Sequence, residues 1–231
     1  MHPQRRMVRQ ALRLGLVVTL IVLALSSCGA LGGGQEQANE PRPLPEYPQD
    51  LHAGTYHANK FNPSVSFSVG KGWALQCPPG SDFVCLSRGG ENTLFTFLNV
   101  HDIYKPSRSG TVETERAPED LVGWFEQHPY LQTDKPEPVT VGGVKGKQFD
   151  VVIKDLPDDF TGTCGSECLD LFALNDGDSW SVAEAHKNRF IILEDVNGET
   201  VSIVFGSPAA IFDEFVPEAE KVLESVKWSG S

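Results

Sequence analysis

The sequence predicts an α+β domain, an antiparallel β-sheet with packed helices including a long C-terminal one, set behind a signal peptide and a flexible linker. Three observations predict it. Short runs alternating apolar and polar residues recur from Val65 onward, Asn197-Gly198 joins two long apolar strands, and an apolar stripe at helical spacing runs from Phe212 to Val226.

The chain opens with Arg5, Arg6, Arg9 and Arg13 and no acidic residue, followed by a mainly apolar stretch from Leu14 to Leu25. A basic segment leading into about 12 apolar residues reads as an export signal, whereas a spanning helix needs about 20. Leu25-Ser26-Ser27-Cys28 then resembles the bacterial lipobox. The resemblance implies that the Cys28 thiol receives a diacylglyceryl group and becomes the mature N-terminus, so the membrane is the first expected partner. Two acyl chains, at about 0.8 kcal/mol per buried CH₂, anchor stably where one is marginal. Arg5-Arg6 also fits a twin-arginine signal, but its surroundings match poorly and general secretion is the better reading. The expected location is the cell envelope, with the domain on the extracytoplasmic side.

Loss of residues 1–27 removes four arginines and no acid, taking the formal charge from −12 to −16. So acidic a surface argues against nucleic acid as a partner and against lying flat on anionic lipid. With Cys28 lipidated, Cys77, Cys85, Cys164 and Cys168 remain, and an even number in an exported chain reads as disulfides. Three pairings are possible. Cys77 with Cys85 and Cys164 with Cys168 is favoured, because each pair brackets a turn-rich stretch. A Cys₄ zinc site is the rival, disfavoured by spacing and by export.

Residues 28–51 hold a Gly run and then Pro41-Arg42-Pro43-Leu44-Pro45, with no apolar period, and are expected to be a tether. Residues 52–231 are expected to form a single globular domain, long enough for a sizeable core.

Within it, Val65-Ser66-Phe67-Ser68-Val69 alternates as a half-buried strand and turns through Gly70-Lys71-Gly72 into Trp73-Ala74-Leu75. Leu94 to Val100 is apolar on both faces, as in a central strand covered on each side. Val139 to Val141, Gly142-Gly143 and Val144 onward predict a hairpin, with Phe149, Val151 and Ile153 on one face. Arg189 to Val196 and Glu199 to Phe205 predict a type I′ hairpin in which Ile192 faces Ile203 and Phe190 faces Phe205.

Pro118, Glu119 and Asp120 predict the start of a helix carrying Leu121, Trp124, Phe125 and His128 on one face and stopped by Pro129. The C-terminal helix is expected to kink or split at Pro217, which lacks the N–H for the carbonyl of Asp213.

Phe67-Ser68-Val69-Gly70-Lys71-Gly72-Trp73 resembles the opening strand, turn and Gly-Trp of PsbP-like domains, and Ala219 to Trp228 resembles their closing helix and last strand. Gly70 departs from the Pro usual there. The resemblance covers roughly 61–228 in element order and implies a fold, which does not by itself imply a function.

The sequence contains no Gly-x-Ser-x-Gly, His-Glu-x-x-His, P-loop or dinucleotide motif. His52, His57, His101, His128 and His186 lack chelating spacing and read as surface or cap residues, with His128 favouring the negative end of its helix. Asn175-Asp176-Gly177-Asp178 and Asp195-Val196-Asn197-Gly198-Glu199 fail the EF-hand pattern and read as strand turns. The acidic stretch Lys154 to Asp159, before the Cys164–Cys168 loop, reads as a solvated connection, with binding as its functional alternative.

The expectation is therefore a non-catalytic module without metal or cofactor, binding an envelope partner or a small apolar ligand. A cell-surface hydrolase is the alternative, and it would need a His, an Asp and a Ser converging in a cleft.

Overall fold

Residues 40–108, 113–162, 168–175 and 177–229 are described by the computed structural model. In chain order the first strands are β1 (Arg42–Pro43), β2 (Gln49–Leu51), β3 (Gly54–Ala58), β4 (Val65–Val69), β5 (Trp73–Leu75), β6 (Phe83–Arg88), β7 (Leu94–Asn99), β8 (Asp102–Tyr104) and β9 (Thr114–Arg116). Helix α1 (Leu121–Gln127) precedes β10 (Leu131–Thr133), β11 (Glu137–Val141), β12 (Val144–Ile153), β13 (Cys168–Ala173), β14 (Ser179–Ala183), β15 (His186–Val196) and β16 (Glu199–Pro208). A 3₁₀ turn over Ala209–Ile211 leads into α2 (Phe212–Glu224), and β17 (Lys227–Trp228) closes the domain.

A nine-stranded sheet in the order β10-β12-β15-β16-β7-β6-β5-β2, with β11 beside β12, forms the middle layer. Its central strands β7, β15 and β16 are buried on both faces over most of their length, because each face meets a different cover. Phe95, Phe97, Ile191, Ile203 and Phe205 pack with the apolar stripe of α2 and with the small sheet β1-β3-β4-β17. Leu98, Phe149, Phe190, Ile192 and Val204 pack on the opposite side with α1 and the outer sheet β14-β13-β8-β9. Each buried Phe or Leu contributes roughly 1.5–3 kcal/mol by leaving water. The architecture is mostly β and antiparallel, with two packed helices among the described residues.

Helix α1 starts three residues later than Pro118. Asp120 is its N-cap, the carboxylate accepting the N–H of Gly123 at 2.8 Å. Helix α2 runs through Pro217 without a break. Both Asp213 and Pro217 are exposed, so water can reach the carbonyl that lacks its helical donor.

The β15–β16 hairpin forms around Asn197 (φ 56°) and Gly198 (φ 90°), the positive pair a type I′ turn requires. Its register differs from the expected one. Ile191 faces Ile203, Phe190 faces Val204 and Arg189 faces Phe205, because an irregularity between Leu193 and Val196 shifts the ladder by one. Since side chains alternate, that shift sends Phe190 to the α1 face and Phe205 to the α2 face.

Part of the stretch expected to be a tether is paired into sheets. Arg42–Pro43 pairs with Tyr56–His57, and Gln49–Leu51 pairs with Trp73–Leu75, so the Pro-rich end is stitched onto two sheet edges.

Polar bonds join the central sheet to α2. The Asp150 carboxylate accepts Arg189 Nε at 2.6 Å and lies 2.8 Å from Lys187 Nζ, while Arg189 also reaches Glu220 of α2 at 3.3 Å.

Candidate functional site

Two loops meet at one corner of the domain. The first spans Cys77 to Cys85, closed by a disulfide between them. Pro78 and Pro79 restrict its backbone, and Gly80 N–H donates to the Phe83 carbonyl at 3.1 Å. The core holds the loop from two sides: Asn62 N–H donates to the Ser81 carbonyl at 2.9 Å, and Asn99 N–H to the Asp82 carbonyl at 2.7 Å.

The second loop is the β13–β14 turn, in which Leu174 N–H donates to the Asp178 carbonyl at 2.9 Å and Gly177 takes φ 89°. Asp82 ties the two together. Its carboxylate accepts the Asn175 N–H at 2.9 Å and the Ser81 hydroxyl at 2.6 Å. Burial pushes the Asp82 carboxyl up, but the bonds from Ser81 and Asn175 and the nearby His101 overrule it, leaving its pKa below the ordinary value.

Between the loops lies a cleft of about 600 Å³, lined by Pro78, Pro79, Phe83, Leu174, Trp180 and the Cys77–Cys85 disulfide, with Ser179 and Asp178 among its polar groups. Trp180 is held in place by stacking on Phe172 at 6.0 Å and meeting Phe190 edge-on at 5.5 Å. A smaller hollow of about 380 Å³, lined by Leu44, Tyr47 and Lys60 among others, shares Pro78 and Pro79 as a common ridge. A concavity whose walls combine apolar side chains with a few polar groups can receive an apolar group of a ligand.

Of the residues singled out in sequence, Cys77 and Cys85 are bonded as expected and form part of the cleft. Cys168 is disulfide-bonded; Cys164 and Cys28 lie outside the described residues. Asn175 and Asp178 belong to the β13–β14 turn, as read, and Asp195 accepts the Gly198 N–H at 2.9 Å in the β15–β16 turn. Phe83, Asp82 and Trp180 are the site residues that sequence reasoning did not assign. Each loop was legible alone, through its cysteines or its Asn-Asp-Gly-Asp composition, but 93 positions separate Asp82 from Asn175.

The histidines do not converge. His128 is the C-cap of α1, as the cap reading expects, but the charge it was expected to bring there is corrected, since the residue is only 4% exposed and its ring packs against Trp124 and Tyr130. Burial lowers its pKa to about 4, so it is neutral at pH 7 and cannot serve the helix dipole as a cation. Its Nδ1 accepts the Tyr130 N–H at 3.3 Å, which leaves the proton on Nε2. His57 Nδ1 lies 2.9 Å from Ser66 Oγ. This hydroxyl–imidazole contact resembles half of a nucleophilic pair, but it crosses two strands next to the Thr55–Ser68 bond rather than lining the cleft. Among the described residues no carboxylate hydrogen-bonds that ring, and no three His, Cys, Asp or Glu side chains gather as metal ligands.

No family model matches this sequence, and no curated protein does. Remote likenesses among solved structures include the following three. A protein from Bacteroides thetaiotaomicron is 10% identical with a TM-score of 0.39 over 78% of this chain and 50% of its own, so this chain spans half its length. Cyanobacterial PsbP from Synechocystis is 9% identical with a TM-score of 0.38 over 77% of this chain and 94% of its own. LpqN, involved in cell envelope biogenesis of Mycobacterium tuberculosis, is 10% identical with a TM-score of 0.37 over 78% of this chain and 89% of its own. At these values they carry no site and no function to this chain. No helix among the described residues is long and apolar enough to cross a membrane.

Proposed function

We propose that this chain is an envelope lipoprotein, anchored through Cys28 on the extracytoplasmic side of a membrane, whose domain is a non-catalytic binding module. The observation that carries the binding role is the braced cleft beside Trp180, where a disulfide, two prolines and the Asp82–Asn175 bond fix the loops that carry its apolar walls. A concavity held open in advance binds with a smaller ordering cost than one that must form on contact. The anchor rests on the basic segment, the apolar run and the lipobox resemblance at Leu25 to Cys28.

The test places a photocrosslinking amino acid at Trp180 in the full-length chain, with a second copy carrying it at His57 on the opposite side of the central sheet. Discrete adducts in whole envelopes from position 180 and none from position 57 are the expected result; equal patterns, or silence at 180, would overturn the binding role. Fractionation of a Cys28→Ala chain tests the anchor in parallel, since retention in the membrane fraction would be incompatible with a lipid tether.

A further inference from the structure

The cleft adjoins the last strand of the outer sheet among the described residues. The outer sheet ends at β14, which among the described residues pairs with β13 alone. Ser179 and Trp180, the first two residues of β14, line the cleft, so the edge from Trp180 to Ala183 runs on from its wall. A strand paired on one side presents main-chain donors and acceptors at the repeat of another extended chain. Pockets beside such an edge take alternate side chains of the added strand and set its specificity. Charge points the same way. The cleft lining contains the carboxylate of Asp178 and no Lys, Arg or His, on a chain of formal charge −12.

Building on the reading of the cleft as the binding site, we infer that its occupant is an extended polypeptide segment of a partner, added to β14 as a further strand. An apolar side chain of that segment sits between Phe83 and Trp180, and Lys or Arg side chains flank it. A small apolar ligand would use the same cleft and leave the strand edge untouched.

The probes are synthetic octapeptides alternating Lys with Val, Leu, Phe or Trp, added to the full-length chain, together with copies N-methylated at every second residue. N-methylation keeps the side chains and removes the main-chain donors that strand addition requires. Binding is read from Trp180 emission, with a Trp180→Phe chain assigning the signal, and strand addition from hydrogen exchange.

The expected result is saturable binding, a loss of about tenfold or more in affinity on N-methylation, and slowed exchange over residues 180–183 but not over the exposed edge strand β9. Equal binding of the N-methylated peptides without protection of β14 would overturn strand addition and leave the cleft reading standing. Protection of β14 and β9 alike would mark unselective edge pairing and also overturn it. No change in Trp180 emission at millimolar peptide would overturn the inference and count against the cleft as a binding site.

Discussion

The carboxylate of Asp82 accepts the backbone N–H of Asn175 at 2.9 Å, bonding the disulfide loop to the β13–β14 turn. Asp82 also accepts the Ser81 hydroxyl, so one buried side chain satisfies donors from both loops. Asp82→Ala should therefore cost about 1–3 kcal/mol, each kcal/mol lowering Tm by roughly 2–4 °C in a domain of this size. Asp82→Asn, which keeps one acceptor oxygen, should lose less. The folded pKa lies below the ordinary value of 3.8, so the stabilisation is present above that value and is lost as pH falls through the folded pKa. Thermal melts of wild type and Asp82→Ala should differ at pH 7 and converge in strong acid.

Replacing Cys77 and Cys85 by Ser should loosen the site and spare the fold. A loop this short constrains the unfolded chain by about 2–3 kcal/mol at most. The central strands owe their order to the two cores instead. Hydrogen exchange should accelerate over residues 76–85 and stay slow in β15 and β16. Uniform acceleration would show that the disulfide supports the whole domain.

His128 predicts a pH dependence in a milder range. Its folded pKa of about 4 lies below the ordinary 6.5, so the unfolded chain takes up a proton that the folded chain refuses. Stability should fall as pH drops from about 6.5 to 4, by about 3 kcal/mol over that window. His128→Gln, neutral throughout, should lack this component. Urea unfolding at pH 7 and pH 4.5 on both chains checks it: wild type should lose more stability than the variant between the two conditions.

Gly142→Ala should be poorly tolerated. Gly142 has φ 56°, and an added Cβ would sit 2.7 Å from Trp228 Cδ1 and 3.1 Å from the Val226 carbonyl oxygen. Trp228 Nε1 donates to the Val141 carbonyl at 3.1 Å, so pushing the ring away also strands a buried donor. A loss of about 2 kcal/mol or more is expected from strain and the broken bond together. Gly143→Ala, with φ 86° but nothing within 4 Å of its Cβ, should lose only the backbone part, and the difference between their melts isolates the Trp228 contact.

Several elements were legible because their causes are local. The alternation of Val65 to Val69, the Asn197-Gly198 turn and the Gly142-Gly143 turn each reflect the preferences of a few neighbouring residues. The disulfide between Cys77 and Cys85 was legible for the same reason, since the Pro-rich stretch between them turns the chain back on itself. The register of β15 against β16 was not, because the irregularity near Glu194 and Asp195 answers to what packs on each face of the sheet. Nor was the burial of His128, where a residue polar in isolation is enclosed by Trp124 and Tyr130.

The sequence alone determined an acidic composition, the lipobox-like run ending at Cys28, an antiparallel domain of short strands with an amphipathic C-terminal helix, and a pair of cysteines poised to bridge. Those properties depend on composition and on contacts a few residues apart. The cleft arose at another level. Phe83 and Trp180 line it together, and Asp82 bonds Asn175, because the outer sheet folds back over the central one and brings together segments almost a hundred positions apart. Residue spacing along the chain does not encode such a meeting; burial of the two faces of the central sheet, which needs both covers at once, does.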